Sequence, residues 1–347
     1  MYRAHFLNII IILNSTLLPL VYAQPRGLDS RIDSLIIIGL AQVHGEKYDD
    51  AFETVDKIIK IDPEGPVGYF GLASLYLLMM RNFRSRIFES TLDSLLDLAI
   101  EKGQSKDYED NPMRLFFLGA SHGYRGLHRA RKHDYIGAFL DGWRGLKNFD
   151  KARKLDPNLY DVHLGYGIYH YWRSALSPIL RLITFTKDRR QQGIKEVNLS
   201  IKKGRYVSVL GRYILTEIYY NEKQFEESLE LCEQLSIDFP TNPAWLYIRI
   251  RSLEQLNRWD EAETLWRMLL NHIKDSKYTS TALLVECHYG LALCRYKQDD
   301  KMGAFKECQI ALELAQNRDP DTEIEGPLES YKEIHENLMT LITTLNQ

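Results

Sequence analysis

The sequence predicts an all-α fold, a right-handed superhelical solenoid built from antiparallel helix hairpins. One observation is a recurring pattern of an aromatic residue, a small residue three positions later, and an apolar helix face. It occurs at Tyr48 and Ala51, at Phe225 and Ser228, and at Trp259 and Ala262. The other observation is the interval between Phe225 and Trp259, which is 34 residues (259 − 225 = 34). Because a hairpin of this length cannot bury its apolar face alone, neighbouring hairpins must stack around a shared core.

Length and composition are compatible with one continuous array. The chain has 347 residues, of which 45% are hydrophobic and 26% are charged, the balance of a globular protein. An array of hairpins can extend over this length as one solenoid, although two ordinary domains would also fit. The net charge of −3 provides no overall attraction for nucleic acid, so we expect no nucleic-acid partner. The oligomeric state stays open.

The first 23 residues have the layout of a secretory signal peptide. Arg3 and His5 precede an apolar run, which ends with small residues at Ala23 and two positions before it. We therefore expect cleavage after Ala23, export and a periplasmic location, with a short linker at 24–31. A retained membrane anchor is the alternative. It is disfavoured because polar residues at 14–16 interrupt a run already shorter than the ~20 residues that an anchor needs.

The solenoid is predicted to span 32–315 and to begin with a regular hairpin. Gly39 and Ala51 are small enough to let its two helices approach closely. The Asp-Pro pair at 62–63 ends the second helix, because proline lacks the amide hydrogen and disfavours helix in the residue before it. A third helix is expected around residues 69–76, and its partner carries the apolar series that ends at Ala99.

The middle of the array, 81–203, departs from the standard repeat length. Asn111 and Pro112 are typical of a helix start, and we expect a long helix from there to about residue 132, with a partner at about 136–155. The next helix, 162–172, contains two glycines, which favour close contact with another helix. An apolar insertion at 176–186 then separates the two helices of one hairpin.

The later units return to regular length. Hairpins are expected at 209–242, at 243–270 and at about 285–315. A loop and a final amphipathic helix follow within 316–347. We interpret that helix, at about 328–345, as the cap that the open end of a solenoid requires.

Four cysteines fall late in the chain and are too few for a disulfide scaffold. Cys232 and Cys308 occupy equivalent inward-facing repeat positions, where burial as small apolar side chains is expected. A bridge between Cys294 and Cys308 is the alternative, since export would place both in an oxidising compartment. The sequence leaves this choice open.

These units resemble the tetratricopeptide repeat family. The family's 34-residue pattern has a large residue, Leu-Gly and Tyr on the first helix, then Ala, an aromatic residue, Ala and Pro on the second. The matching positions are Ile38, Gly39, Ala51 and Pro63 in the first unit, Leu215, Tyr219 and Pro240 in a later one, and Ala262 and Trp266 in the next. The resemblance covers most of 32–315, and the irregular middle departs from the pattern. It implies a non-catalytic scaffold whose concave face binds a protein or peptide partner.

The most unusual group of candidate partner-binding residues lies in the irregular middle. It consists of His163, Tyr166, His170, Trp172 and Arg173. Aromatic rings, imidazoles and a cation in one short segment are suited to holding the side chains of a partner. Packing inside the solenoid is the alternative explanation, because tyrosine is a common filler of helix hairpins.

Within the irregular middle, basic residues lie on both sides of this aromatic group and of the apolar insertion. Arg125 and Arg129 precede the group and are assigned to the same partner-binding surface, while Lys187, Arg189 and Arg190 follow the apolar insertion. Such groups would receive an acidic peptide, anionic lipid or the carboxylates of a glycan polymer, although a solvated helix face would look the same. The alternative function is therefore a membrane-associated envelope assembly factor that uses the insertion 176–185 and its basic flanks for peripheral membrane contact.

No metal, cofactor or catalytic site is predicted. His122, His128 and His133 are spaced by 6 and 5 residues (128 − 122 = 6, 133 − 128 = 5), whereas zinc ligands on one helix face need intervals of about three or four. The sequence contains no phosphate-binding glycine loop and no metalloprotease helix motif. An enzyme acting on an envelope polymer is the least favoured hypothesis. It would require a deep polar pocket with a pKa-shifted carboxylate in the middle repeats.

Overall fold

The computed structural model describes residues 26–105, 110–175 and 187–347. The predicted signal segment, 1–23, and the apolar insertion, 176–186, lie outside the described residues. Within the described ranges the chain is helical, and β pairing is limited to the isolated bridge between Ser85 and Glu323. The prediction of an all-α fold is confirmed.

Fifteen α-helices are assigned in the described part of the chain. They are α1 (Ser30–His44), α2 (Tyr48–Ile61), α3 (Val67–Phe83), α4 (Glu89–Gly103), α5 (Pro112–Arg131), α6 (Tyr135–Leu155), α7 (Val162–Ala175), α8 (Arg190–Lys203), α9 (Ser208–Asn221), α10 (Phe225–Asp238), α11 (Pro243–Gln255), α12 (Trp259–Ile273), α13 (Thr281–Lys297), α14 (Lys301–Gln316) and α15 (Tyr331–Leu345). Each helix packs against its neighbours in the chain, as expected for stacked hairpins.

The hairpin turns repeat one backbone geometry. In five hairpins one turn residue adopts the left-handed conformation, with φ between 58° and 64°: Glu46, His133, Lys223, Asn257 and Asp299. Residues other than glycine adopt this conformation uncommonly, so its recurrence is a property of the repeat. The turn between α5 and α6 therefore belongs to the same kind of unit as the regular hairpins.

The α5–α6 hairpin is longer than the others and very closely packed. Its helices have 20 and 21 residues, whereas the other described helices have 13 to 17. As predicted, Asn111 caps α5, accepting hydrogen bonds from the amides of Met113 and Arg114 at 3.0 Å. A methyl group at Gly119 would lie 3.0 Å from the carbonyl oxygen of Gly145, so glycine is needed for this approach.

The first repeats contact the last ones across the superhelix. Arg81 Nη2 at the end of α3 lies 2.6 Å from Glu217 Oε1 of α9. The amide of Ser280 donates to the carbonyl oxygen of Phe83 at 2.9 Å, and Arg84 pairs with the buried carboxylate of Glu286. Further contacts of this kind join Asn242 to His44 and Arg205 to Asp33. The resemblance implied a concave face that receives a partner, but in the described residues the inner curve closes on itself here.

The largest hydrophobic cluster shows the same closure. Met79 and Phe83 of α3 belong to it together with Trp245 and Leu246 of α11 and Trp266 of α12. An apolar helix that is contacted on all sides becomes a core helix, and α11 is buried almost all round. The last described helix covers the other end of the array, with Ile334, Leu338 and Leu341 packed on α13 and α14. All four cysteines are buried and free of disulfide bonds.

Candidate partner-binding site

Helix α7, which carries five of the predicted site residues, packs closely on α8 and loosely on α6. A methyl group at Gly167 would lie 2.8 Å from the carbonyl oxygen of Gly193, so these two helices touch backbone to backbone. On the α6 side, contact is made through the rings of Phe149 and Tyr166, whose centroids are 6.2 Å apart. The close contact predicted from the glycines of α7 is present. The looser α6 side leaves a seam over α7.

His163, Tyr166, His170 and Arg173 lie along this seam, because intervals of three, four and three residues place them on one side of a helix. We call this surface the α6–α8 seam; it comprises Tyr160, His163, Tyr166, Tyr169, His170 and Arg173. Three aromatic rings of the seam have a cation above them. Lys203 Nζ lies 4.8 Å from the Tyr160 ring, while Arg153 and Arg173 lie 5.6 Å and 5.8 Å from Tyr166 and Tyr169.

The two seam histidines differ in their partners. His170 Nδ1 lies 2.7 Å from Glu196 Oε2 of α8, which fixes its ring. His163 stacks on Tyr160, and its Nδ1 is buried without a hydrogen-bond partner among the described residues. Burial and the nearby charge of Arg153 lower the pKa of His163, so the imidazole is neutral near pH 7. An unpaired buried nitrogen is uncommon and is a place where an incoming group can bind.

Tyr166 contributes mainly to packing. Only 8% of its surface is exposed, and its ring belongs to a core cluster with Phe149 and Val162. Its hydroxyl donates to Asp150 Oδ1 at 2.6 Å. Burial, together with this hydrogen bond to Asp150, raises the pKa of Tyr166. For this residue the packing explanation fits the structure better than direct contact with a partner.

Trp172 does not share the seam. Nine residues separate it from His163, which at 100° per residue places it on about the opposite side of α7. Its ring packs edge-on against Tyr171 at 5.0 Å, in the cluster that contains Leu215 and Ile218 of α9. The residues predicted as one site therefore divide between two sides of the helix.

Arg125 and Arg129 lie on α5 and bind the buried carboxylate of Asp141 on α6. Arg125 Nε and Nη2 are each 2.8 Å from its oxygens, and Arg129 Nη1 is 2.9 Å away. Burial alone would raise the pKa of Asp141, but hydrogen bonds from His122 and Arg125 and the charge of Arg129 hold it well below its usual range. The two arginines thus fasten the α5–α6 hairpin. Sequence analysis missed Asp141, although a carboxylate on the glycine-lined side of a helix was a signal.

A second buried carboxylate of the middle repeats, Asp161, is also held by structural partners. Asp161 accepts hydrogen bonds from the backbone amides of Arg205, Tyr206 and Val207 at 2.7 to 3.2 Å. Burial raises its pKa, and those amides oppose the shift. It therefore holds the connection between α8 and α9. This carboxylate matches the pKa shift that an enzyme hypothesis requires, but its oxygens point at backbone.

Neither a metal-binding cluster nor a membrane-spanning helix occurs in the described ranges. They contain no group of three His, Cys, Asp or Glu side chains arranged to hold a metal ion. His122 binds Asp141, His128 lies 3.3 Å from Asp93, and His133 lies 3.0 Å from the hydroxyl of Tyr135. None of the described helices combines the length and the apolar character needed to cross a bilayer.

Comparison with known proteins identifies the fold. Neither a family model nor a curated protein matches the sequence. Among solved structures, the Cut9–Hcn1 hetero-tetramer of the APC/C aligns with a TM-score of 0.53 at 12% identity over 86% of this chain. This chain spans about half of that one, 47%. A tetratricopeptide-repeat protein of Thermus thermophilus aligns with a TM-score of 0.40 at 15% identity, over 65% of this chain and 99% of its own. Similarity at this level establishes the fold and nothing finer.

Proposed function

We propose that this chain, a helical-repeat protein with the tetratricopeptide-repeat fold, is a non-catalytic exported scaffold that binds a protein or peptide partner. The observation that carries the proposal is the α6–α8 seam. It combines aromatic faces with adjacent cations and the unpaired Nδ1 of His163. The signal-like layout of residues 1–23 supports export to the periplasm.

The seam favours an acidic segment with aromatic or apolar side chains. Its cations, Arg153, Arg173 and Lys203, are exposed, whereas the nearest carboxylates already have internal partners. Asp150 accepts from Tyr166, and Glu196 lies against His170. A partner carboxylate would therefore meet positive charge, and its apolar side chains would stack on the rings. Because the inner curve is closed by Arg81, Arg84 and their partners, we place binding on this outer seam and not in the concave face.

Site-specific photo-crosslinking tests this placement. A benzophenone amino acid at position 163 in the native cell envelope is expected to give a discrete adduct with one partner. Position 332 on α15, whose lysine side chain is 84% exposed, serves as a control and should give none. The double variant Arg173→Glu and Lys203→Glu should reduce the adduct at least tenfold. Adducts that are equal at both positions, or insensitive to the charge reversal, would remove the seam from the proposal.

The alternative proposal remains a membrane-associated envelope assembly factor. Its predicted apolar insertion, 176–185, lies outside the described residues, so only its basic flank can be placed. Lys187 and Arg189 are exposed, and Arg190 pairs with Asp188 and Glu222. Enzymatic action on an envelope polymer has no supporting observation in the described residues beyond the buried Asp161.

A further inference from the structure

The first half of α6 presents apolar side chains to solvent. Exposed fractions are 66% for Tyr135, 78% for Ile136, 59% for Phe139, 42% for Leu140 and 46% for Trp143. We call these five residues the α6 apolar face. Leu127 of α5 adjoins them in the same hairpin and is 49% exposed. Half of the twelve large apolar side chains exposed in the described residues thus lie in this one hairpin, and such clustering usually marks an interaction surface.

This face points away from α5, the helix that α6 packs on most closely. Asp141 and Gly145 point towards α5, where a methyl group at Gly145 would lie 2.9 Å from a backbone oxygen. Helix α7 meets α6 at Gly142, where a methyl group would lie 3.8 Å from the ring of Tyr169. At 100° per residue, Ile136, Phe139 and Trp143 lie on the side of α6 opposite to Asp141 and therefore point away from α5.

The charge around the α6 apolar face is strongly positive. Residues 125–154 contain nine lysines and arginines against three aspartates, a net of +6 in a chain whose total is −3. Beyond Trp143 the outward side of α6 continues with Arg144, Lys147, Lys151 and Lys154, all exposed. Lys147 Nζ lies 3.5 Å from the centre of the Trp143 ring, so the basic row begins in direct contact with the apolar face. Asp97 and Asp93 of α4 pair with Arg125 and Lys132. Within the row, Arg144 lies 3.4 Å from Asp141, and Lys147, Lys151 and Lys154 have no ion pair among the described residues.

We propose that the α6 apolar face is a docking surface for an anionic lipid bilayer. An exposed helix side with aromatic and aliphatic residues at one end and lysines and arginines at the other is suited to lie in a membrane interface. Trp143 and Tyr135 would occupy the headgroup level, where amphipathic rings are favoured. Arg144, Lys147 and Lys151 would lie on anionic headgroups. Lipid binding at this face is independent of partner binding at the α6–α8 seam.

A second copy of the chain is a poorer occupant. Most homodimers pair the same patch from each subunit, so this positively charged hairpin would be matched with a second positively charged hairpin and its basic row would meet no opposite charge. Two surfaces of like charge repel each other when they are brought into contact. A lipid surface of negative potential provides the opposite charge along the whole length of α6.

A local fluorescent probe tests the proposal in the full chain. The four native cysteines are buried, so an introduced thiol at Phe139→Cys can be labelled selectively with a nitrobenzoxadiazole fluorophore. Ile237→Cys, at a position 81% exposed on α10, provides the matched control. Vesicles of phosphatidylglycerol and phosphatidylcholine should shift the emission of the label at 139 to shorter wavelength. The label at 237 should not respond, and pure phosphatidylcholine should have little effect at either position.

Vesicle sedimentation with folded variants completes the test. Ile136→Ser combined with Trp143→Ser should lower the bound fraction at least tenfold at equal lipid, with an unchanged thermal melt, whereas Ile237→Ser should bind as the parent does. Lys147→Glu with Lys151→Glu should weaken binding, and added salt should do the same. The proposal would be overturned if the emission of the label at 139 did not change with vesicles, or if the labels at 139 and 237 changed equally. A dimer by light scattering that the Ile136 and Trp143 variant dissociates would also overturn it.

Discussion

Hairpins α5–α6 and α11–α12 share a turn geometry and differ in what surrounds them. His133 and Asn257 have the same left-handed conformation at the two turns. In α11 the apolar residues are buried on every side, including Trp245, Leu246 and Ile248, and Trp266 of α12 is fully buried. In α5–α6 one side is held by Asp141 and the other exposes Phe139 and Trp143.

The difference comes from closure of the superhelix. Helix α3 of the first half packs on α11, so α11 lies between its own repeat and a distant one. The α6 apolar face lies away from that contact, and no described helix covers it. The same repeat unit thus serves as core in one place and as an interaction surface in the other. A helical period in the sequence indicates two apolar sides but cannot tell which of them a neighbour will cover.

Replacing Trp266 and replacing Trp143 should lower the free energy of unfolding by very different amounts. Trp266→Ala removes a fully buried ring, and its Nε1 hydrogen bond to Glu254 at 2.7 Å is lost as well. The free energy of unfolding should fall by about 4 kcal/mol. Trp143→Ala, on the α6 apolar face, should change it by less than about 1 kcal/mol. Urea unfolding of both variants measures this, and equal losses would abolish the distinction between the hairpins.

The stability of the α5–α6 hairpin should depend on the buried carboxylate of Asp141. Asp141→Asn leaves Arg125, Arg129 and His122 without their common partner, and we expect a loss of about 3 kcal/mol near pH 7. The folded pKa of Asp141 is lowered, so its contribution is complete above about pH 4, the unfolded value, and is lost as pH falls towards the folded pKa. The loss caused by the substitution should therefore shrink below about pH 4.

A matched control is available for this test. Asp97 also binds Arg125, at 2.7 Å, but its side chain is 66% exposed. Asp97→Asn should cost less than about 1 kcal/mol and show little dependence on pH. If the two aspartates behave alike, Asp141 does not have the structural role assigned to it.

The ion pair between His272 and Glu46 should make a smaller contribution to stability, and this contribution should decrease as pH rises. His272 of α12 lies 2.9 Å from Glu46 at the first turn, and the hydrogen bond to Glu46 raises the pKa of His272 despite partial burial. Its contribution is therefore complete below about pH 6.5 and is lost as pH rises through the folded pKa. His272→Gln should lower the free energy of unfolding by up to about 1 kcal/mol at pH 5.5. The loss should be smaller at pH 9. In a Glu46→Gln background that difference should disappear, and its persistence would contradict the assignment.

Local features of the fold were predictable from the sequence. The start of α5 at Asn111 and Pro112 and the buried small residues Ala51 and Ala262 follow from capping and repeat chemistry. Closure of the superhelix was not predictable, because the contact of Arg81 with Glu217 joins residues 136 positions apart and depends on the accumulated curvature of the repeats.

The candidate site was predictable in part. His163, His170 and Arg173 do face one seam, while Trp172 lies on the other side because closeness in sequence differs from closeness around a helix. The α6 apolar face was overlooked since Tyr135, Ile136 and Phe139 have the spacing of a core helix. Only the packing of α6 on α5 and α7 in the structure shows that the side carrying these residues is left exposed.

We propose that the inner curve is closed and that binding is left to the outer surfaces of the middle repeats. A double-mutant cycle between Arg81 of α3 and Glu217 of α9 tests the closure directly. Their atoms are 2.6 Å apart and largely shielded from solvent, so Arg81→Ala and Glu217→Ala should show a coupling free energy of about 0.5 to 3 kcal/mol in urea unfolding. Strictly additive losses would mean that the two halves do not meet, and an open inner groove would again be the expected binding surface.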